Sequence, residues 1–206
     1  MNNHFLGISL IHWLVIISAG ISIAGASVYI RDTLKGTTTP NRVSWFLWAV
    51  TPLIGTAAAL AAHADIWASV RVFLSGFLPL IVFIASFFNP QGYWKLGVFD
   101  IACGACSATA LVVWGIADAP RMAILFAAIG DGFASLPTLR KAWLNPETET
   151  GITYLASLVA TLLVLPSIPR WNIENSAFQI YLIVSNVLLL TAVYRKRFVL
   201  LRASSK

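Results

Sequence analysis

The sequence predicts an all-α membrane protein with seven transmembrane helices, arranged as 3+1+3 parallel repeats of three-helix bundles, its N-terminus outside. Three observations carry this. The 206-residue chain is 58% apolar and only 11% charged, whereas soluble domains hold roughly a quarter charged residues. It divides into seven apolar stretches separated by short turns, and a shift of 109 residues lays the first three stretches over the last three.

Composition also excludes several classes. Two cysteines give neither a disulfide framework nor a zinc module. High hydropathy excludes disorder. The net charge of +6 would suit nucleic acid only as a clustered face on a soluble domain, and the apolar stretches leave no room for one. No nucleophile–base pair, metal-ligand cluster or phosphate loop points to an enzyme, and no cofactor is expected.

A membrane helix needs about 20 predominantly apolar residues. The seven stretches are Phe5–Ile30, Val43–Ala62, Trp67–Phe88, Leu96–Ala117, Arg121–Arg140, Gly151–Ile168 and Ser176–Tyr194. Breaker residues separate them: Lys35-Gly36 through Pro40-Asn41, His63-Ala64-Asp65, Asn89-Pro90-Gln91-Gly92, Asp118-Ala119-Pro120, Asn145-Pro146-Glu147, and Pro169 to Asn175. The first stretch has a small-residue site at Ala24-Gly25-Ala26, but it lacks a basic leader and is too long for a signal peptide. The chain divides accordingly into a first repeat (1–95), a linker helix (96–120) and a second repeat with a basic tail (121–206).

Lys and Arg set the direction. With the N-terminus outside, eleven of the fourteen fall on the cytosolic side: Arg31, Lys35, Arg42, Lys95, Arg140, Lys141, Arg195, Lys196, Arg197, Arg202 and Lys206. Arg121 and Arg170 fall outside, and Arg71 lies just within the third stretch. Trp45, Trp94 and Trp143 mark inner ends and Trp67, Trp114 and Trp171 outer ends, as interfacial belts do. The protein is therefore expected in the cell membrane, its basic C-terminal run facing anionic lipid headgroups.

The 109-residue shift aligns Tyr29-Ile30-Arg31 with Thr138-Leu139-Arg140, and Val43-Ser44-Trp45 with Ile152-Thr153-Tyr154. Three spans, one linker and three spans keep both repeats in the same orientation. Parallel repeats of this kind are a transporter architecture with the substrate at the repeat interface near the midplane.

The segment Ser135-Leu136-Pro137-Thr138-Leu139-Arg140-Lys141-Ala142-Trp143, followed by Glu147-Thr148-Glu149 and Thr153-Tyr154-Leu155-Ala156, resembles the SWEET and PQ-loop superfamily. There a proline-containing helix end meets a charged turn and the next helix. The local likeness covers about thirty residues, and the topology covers the whole chain. It implies a seven-helix permease that moves sugars or other small solutes by alternating access. Vitamin transporters of the PnuC type and the KDEL receptor resemble the same plan. The chain departs from the sugar-transporter pattern. Val28 stands opposite Pro137 in the first repeat, and Ser44 and Thr153 stand where prolines would precede Trp45 and Tyr154.

Polar groups at membrane depth are costly and mark functional sites. Asp131 lies near the middle of the fifth stretch, as a substrate contact or a proton-coupling carboxylate, with a structural hydrogen bond eased by Gly130 and Gly132 as the alternative. Asn186 lies equally deep in the seventh. The resemblance implies a substrate-binding asparagine on that helix, and an amide offers both donor and acceptor, with a hydrogen bond between helices as the alternative. At the same level the shift places Ser22 and Phe77, so the substrate-binding set is Asn186, Asp131, Trp48, Phe77 and Ser22. Trp48 offers a stacking face, while Trp45, nearer the inner end, reads equally as an interfacial anchor.

Pro137, Pro52, Pro79 and Pro166 are candidate hinges, because proline removes a backbone hydrogen bond and crowds the preceding turn. His12, beside Trp13, reads as a histidine satisfied by one hydrogen bond. Arg71 snorkels outward or pairs with Asp65, and Asp100 is structural, within reach of Lys95. Cys103 and Cys106 read as small packing residues. The expected partners are a small-molecule substrate and the bilayer, with self-association left open. The functional expectation is a small-solute transporter, with sugar as one substrate. The rivals are a proton-coupled amino-acid transporter, a vitamin transporter, and a non-transporting receptor or assembly protein.

Overall fold

A computed structural model of the chain describes residues 4–5, 8–61, 66–116, 120–168, 171 and 173–204. Described there are seven α-helices: α1 Leu10–Leu34, α2 Arg42–Ala61, α3 Ile66–Ala85, α4 Val98–Ile116, α5 Pro120–Leu144, α6 Gly151–Val164 and α7 Ile173–Ser204. The only strands among the described residues are two-residue pieces, β1 His4–Phe5 and β2 Ile8–Ser9, paired antiparallel. The protein is all-α.

Each predicted stretch falls on one helix, with shifted ends. The first helix starts at Leu10 and not at Phe5, because Ser9 caps it, its hydroxyl accepting the His12 backbone N–H. It then runs past Arg31 and stops where Gly36 takes a positive φ of 75°, a conformation that glycine reaches without steric cost. Asn41 starts α2, its Oδ1 accepting the backbone N–H groups of Val43 and Ser44 at 3.1 and 3.4 Å. The sixth stretch is helical only to Val164, and Leu165–Ser167 form a 3-10 turn.

Two helical segments, Leu10–Leu34 and Ser176–Lys196, are long and apolar enough to cross a membrane, and Val72–Ala85, Val98–Val113 and Gly151–Val164 are shorter apolar helical stretches. Within the bundle α3 packs against both α1 and α2, and α7 against both α5 and α6. The two groups meet where α1 lies on α6 and α2 lies on α5, while α4 packs on α5 and α2. Leaving α4 aside, this adjacency is unchanged when α1 is exchanged with α5, α2 with α6 and α3 with α7.

The α1–α6 crossing is close. A Cβ on Gly25 would collide with Ala156 Cβ and stand 3.5 Å from Thr153 Cα, and the Thr153 hydroxyl donates to Gly25 O at 2.7 Å. The aromatic core sits below this crossing, at the end of the bundle where α1 and α5 finish. Tyr29, Trp45 and Tyr154 are buried there with Val82, Leu189 and Ala192. The Tyr29 and Trp45 rings lie 4.6 Å apart.

Candidate functional site

A cavity of about 190 Å³ opens between the two helix groups. Its walls come from α1, α2 and α3 on one side and α5, α6 and α7 on the other; α4 contributes none of its described residues. Ser18 and Ser22 of α1 face it, as do Thr153, Ser157 and Thr161 of α6. Spacings of four residues bring side chains onto one helix face. The crossing at Gly25 sets these two hydroxyl rows opposite each other.

Four of the five expected substrate-binding residues line this cavity: Ser22, Trp48, Asp131 and Asn186. Phe77 does not. It points away on the outer side of α3, 37% exposed, and stacks on Phe73 at 5.0 Å between centroids. The cavity-facing residues Ser75, Leu78 and Pro79 of α3 correspond to Leu182, Ser185 and Asn186 of α7 at a shift of 107 and not 109. A slip of two residues turns a helical side chain through roughly 200°, so Phe77 lies outside the site. From α3 it is Leu74, Ser75, Leu78 and Pro79 that reach the cavity.

Asn186 is buried, and its Nδ2 donates both to Leu182 O at 2.8 Å and to Ser157 Oγ at 3.1 Å. It thus ties α7 to α6. Asp131 is buried at 6% exposure on the cavity wall. The Tyr181 hydroxyl stands beside it, with Ser135 and Ser185 next to that hydroxyl. Trp48 meets Trp45 edge-on at 5.3 Å. Trp45 is buried at 4% and lines the cavity, so it is a core residue and not an interfacial anchor.

The prolines divide. Pro52 and Pro79 lie inside α2 and α3 and touch the cavity. Pro137 is buried inside α5, away from the lining. Pro166 sits in the 3-10 turn that ends α6, so it stops a helix instead of hinging one.

Beneath the cavity floor lies a polar cluster that the sequence reading passed over. Lys141 Nζ stands 2.6 Å from Glu149 Oε1, and both side chains are fully buried. Glu149 Oε2 accepts the Tyr29 and Tyr154 hydroxyls at 2.9 and 2.7 Å. Lys141 also donates to Thr39 O and Thr148 O. Burial pulls the Lys141 ammonium below its ordinary range, and the Glu149 carboxylate beside it works against that. Alongside, the Thr38 and Thr150 hydroxyls meet at 2.5 Å, and Thr150 donates to Asp32 at 2.9 Å. Tyr29, Asp32 and Thr38 come from the first half of the chain; Lys141, Glu149, Thr150 and Tyr154 come from the second. The cluster therefore closes one end of the cavity by joining the two halves. Its sequence signal was a Lys and a Glu flanking a proline turn, with tyrosines aimed back at them.

Asp100 is structural, though its partners are Asn41 Nδ2 at 2.9 Å and the Gly97 N–H at 2.6 Å, not Lys95. Cys103 is buried, Cys106 is exposed, and both are free thiols. Trp13 and His12 lie on α1 and are half-buried. Asp65 and the side chains of Arg71, Trp67, Trp114, Arg121, Arg170 and Arg197 lie outside the described residues. No metal-ligating cluster occurs among the described residues. Comparison with family models, with curated proteins and with solved structures gives no match.

Proposed function

We propose that the chain is a seven-span membrane permease of the SWEET/PQ-loop plan, moving a small solute by alternating access, its N-terminus outside and its C-terminus cytosolic. The observation that carries the reading is the cavity shared by α1–α3 and α5–α7, with none of the described residues of α4 on its wall.

Three further features support it. Adding 109 to the bounds of α1 gives 119–143, against 120–144 for α5, and the same shift takes α3 to 175–194, inside α7. The helix adjacency has the two-fold character that parallel repeats produce. Large apolar side chains face outward, including Phe88 in the turn after α3 and Val98, Ile101, Val112 and Ile116 of α4 at 62 to 86% exposure, while many Ser, Thr, Asn and Asp side chains are buried inside. A water-soluble surface does not carry apolar patches of that extent; lipid is their natural solvent. Rocking the halves about the α1–α6 and α2–α5 contacts would break the Lys141–Glu149 cluster at one end and close the other.

The test is access to the cavity from each side. Ser22→Cys and Ser157→Cys, in a background carrying Cys103→Ala and Cys106→Ala, are labelled in oriented proteoliposomes with a membrane-impermeant thiol reagent. Labelling of the same position from both faces is expected. Labelling from one face alone, whatever solute is added, would sink the transport reading and leave a one-sided receptor.

A further inference from the structure

From the hydrogen-bond polarity of the cavity we infer that its ligand is a small organic ammonium: a monocation that brings N–H donors on an apolar body. This rests on the permease reading for its purpose but on separate observations for its chemistry.

The lining is rich in hydroxyls, yet most of their protons are already committed. Ser18 donates to Val15 O at 2.9 Å, Ser22 to Ser18 O at 2.9 Å, and Ser75 to Val72 O at 2.7 Å. Thr161 donates to Ser157 O at 2.8 Å, and Thr153 to Gly25 O at 2.7 Å. A carbonyl oxygen only accepts, so in each pair the hydroxyl must be the donor. Both hydrogens of the Asn186 amide are engaged by Leu182 O and Ser157 Oγ. The Tyr154 hydroxyl is held by Glu149, and the Trp45 indole N–H, though without a hydrogen-bond partner, is buried away from the cavity surface.

Of the described lining residues, that leaves Trp48, Ser157 and Ser185 as donors toward the cavity. Five hydroxyl oxygens, Asn186 Oδ1 and the Asp131 carboxylate remain as acceptors. A carboxylate offers about four lone-pair sites, and the Tyr181 hydroxyl beside Asp131 can occupy one of them. No Lys, Arg or His is among the described lining residues.

This surplus of acceptors discriminates between ligands. An anion would meet a buried carboxylate and few donors. A sugar needs donors as well as acceptors, because each of its hydroxyls does both. An ammonium brings several N–H donors and one positive charge, which answers Asp131 with a charge-assisted hydrogen bond. Trp48 and Trp45 supply the faces against which its carbon body and charge can rest.

The experiment uses three probes on one skeleton, 2-phenylethylammonium, 2-phenylethanol and phenylacetate. They are added to the full chain in lipid nanodiscs, with binding read from tryptophan fluorescence and from the unfolding midpoint. Saturable binding by the ammonium is expected, with the alcohol and the carboxylate weaker by roughly tenfold or more, the worth of one charge-assisted contact. Asp131→Asn should remove most of the ammonium's advantage while leaving the unfolding midpoint without ligand near that of the parent. Ser22→Ala, which removes one acceptor only, should weaken the ammonium without abolishing binding.

Equal binding of the alcohol and the ammonium, retention of ammonium affinity within about twofold in Asp131→Asn, or no saturable binding by any of the three would each overturn the assignment. If two-sided thiol labelling persists in that case, the permease reading stands and only the ligand class is wrong.

Discussion

Lys141 Nζ stands 2.6 Å from Glu149 Oε1, and neither side chain reaches the molecular surface. The pair draws Tyr29 of α1 onto Glu149 together with Tyr154 of α6. Removing one partner of a buried ion pair strands the other charge, at a cost of about 3–5 kcal/mol. Glu149→Gln and Lys141→Met should each lower stability on that scale in denaturant titrations. Lys141→Met combined with Glu149→Leu should cost clearly less than the two single changes added together. Additive losses would mean that the pair is not coupled.

The α1–α6 crossing makes a second prediction. Gly25→Val forces a side chain into Ala156 and the Thr153 backbone, so overpacking should destabilise by about 1–3 kcal/mol. Gly20 lies on the same helix with nothing within 4 Å of a Cβ placed there. Gly20→Ala should stabilise by up to about 1 kcal/mol, the difference in helix propensity. Thermal unfolding of the two variants checks the contrast, and a loss in both would show that helix flexibility matters more than the crossing.

Asn186 and Ser157 should be energetically coupled. A double-mutant cycle with Asn186→Ala and Ser157→Ala should return about 0.5–2 kcal/mol, the range for hydrogen bonds between membrane helices. A coupling indistinguishable from zero would leave the amide's bond to Leu182 O as its sole structural role.

Trp48 and Phe77 should separate cleanly in ligand binding. Trp48→Leu removes a cavity face and should weaken an aromatic ammonium by about tenfold. Phe77→Leu changes a side chain stacked on Phe73 outside the cavity, so affinity should stay within about twofold. Titration of tryptophan fluorescence serves for Phe77→Leu, and calorimetry serves for the tryptophan variant. An equal loss in both would return Phe77 to the site.

Much of this was legible in the residues. Seven apolar stretches and their breakers located every helix, because backbone punctuation by Gly, Pro and Asn is local physics. Asp131, Asn186 and Trp48 are legible because a deep polar or indole group stands out against apolar neighbours, and Ser22 because the 109-residue shift sets it level with Asp131. Phe77 lies outside the cavity because a slip of two residues between α3 and α7 leaves depth nearly unchanged but turns the side chain to the opposite face. In the sequence Lys141 counts only as a cytosolic-side cation and Glu149 as part of a charged turn, and neither pattern implies burial. Their burial depends on Tyr29, which lies 120 residues from Glu149, and no local pattern announces a contact of that span. The hydroxyl rows were missed for another reason: Ser and Thr at four-residue spacing look ordinary until the Gly25 crossing sets two rows face to face.

The inward turn of those hydroxyl protons bears on how the site empties. When a ligand leaves, the donors of Ser18, Ser22, Thr153 and Thr161 lose nothing, since each already has a carbonyl on the protein. What departure uncovers is acceptors, namely the five hydroxyl oxygens, Asn186 Oδ1 and the Asp131 carboxylate, and these need a donor such as entering water in the ligand's place. On the permease reading, the empty site is therefore a hydrated one, and each loading exchanges water for solute at those acceptors.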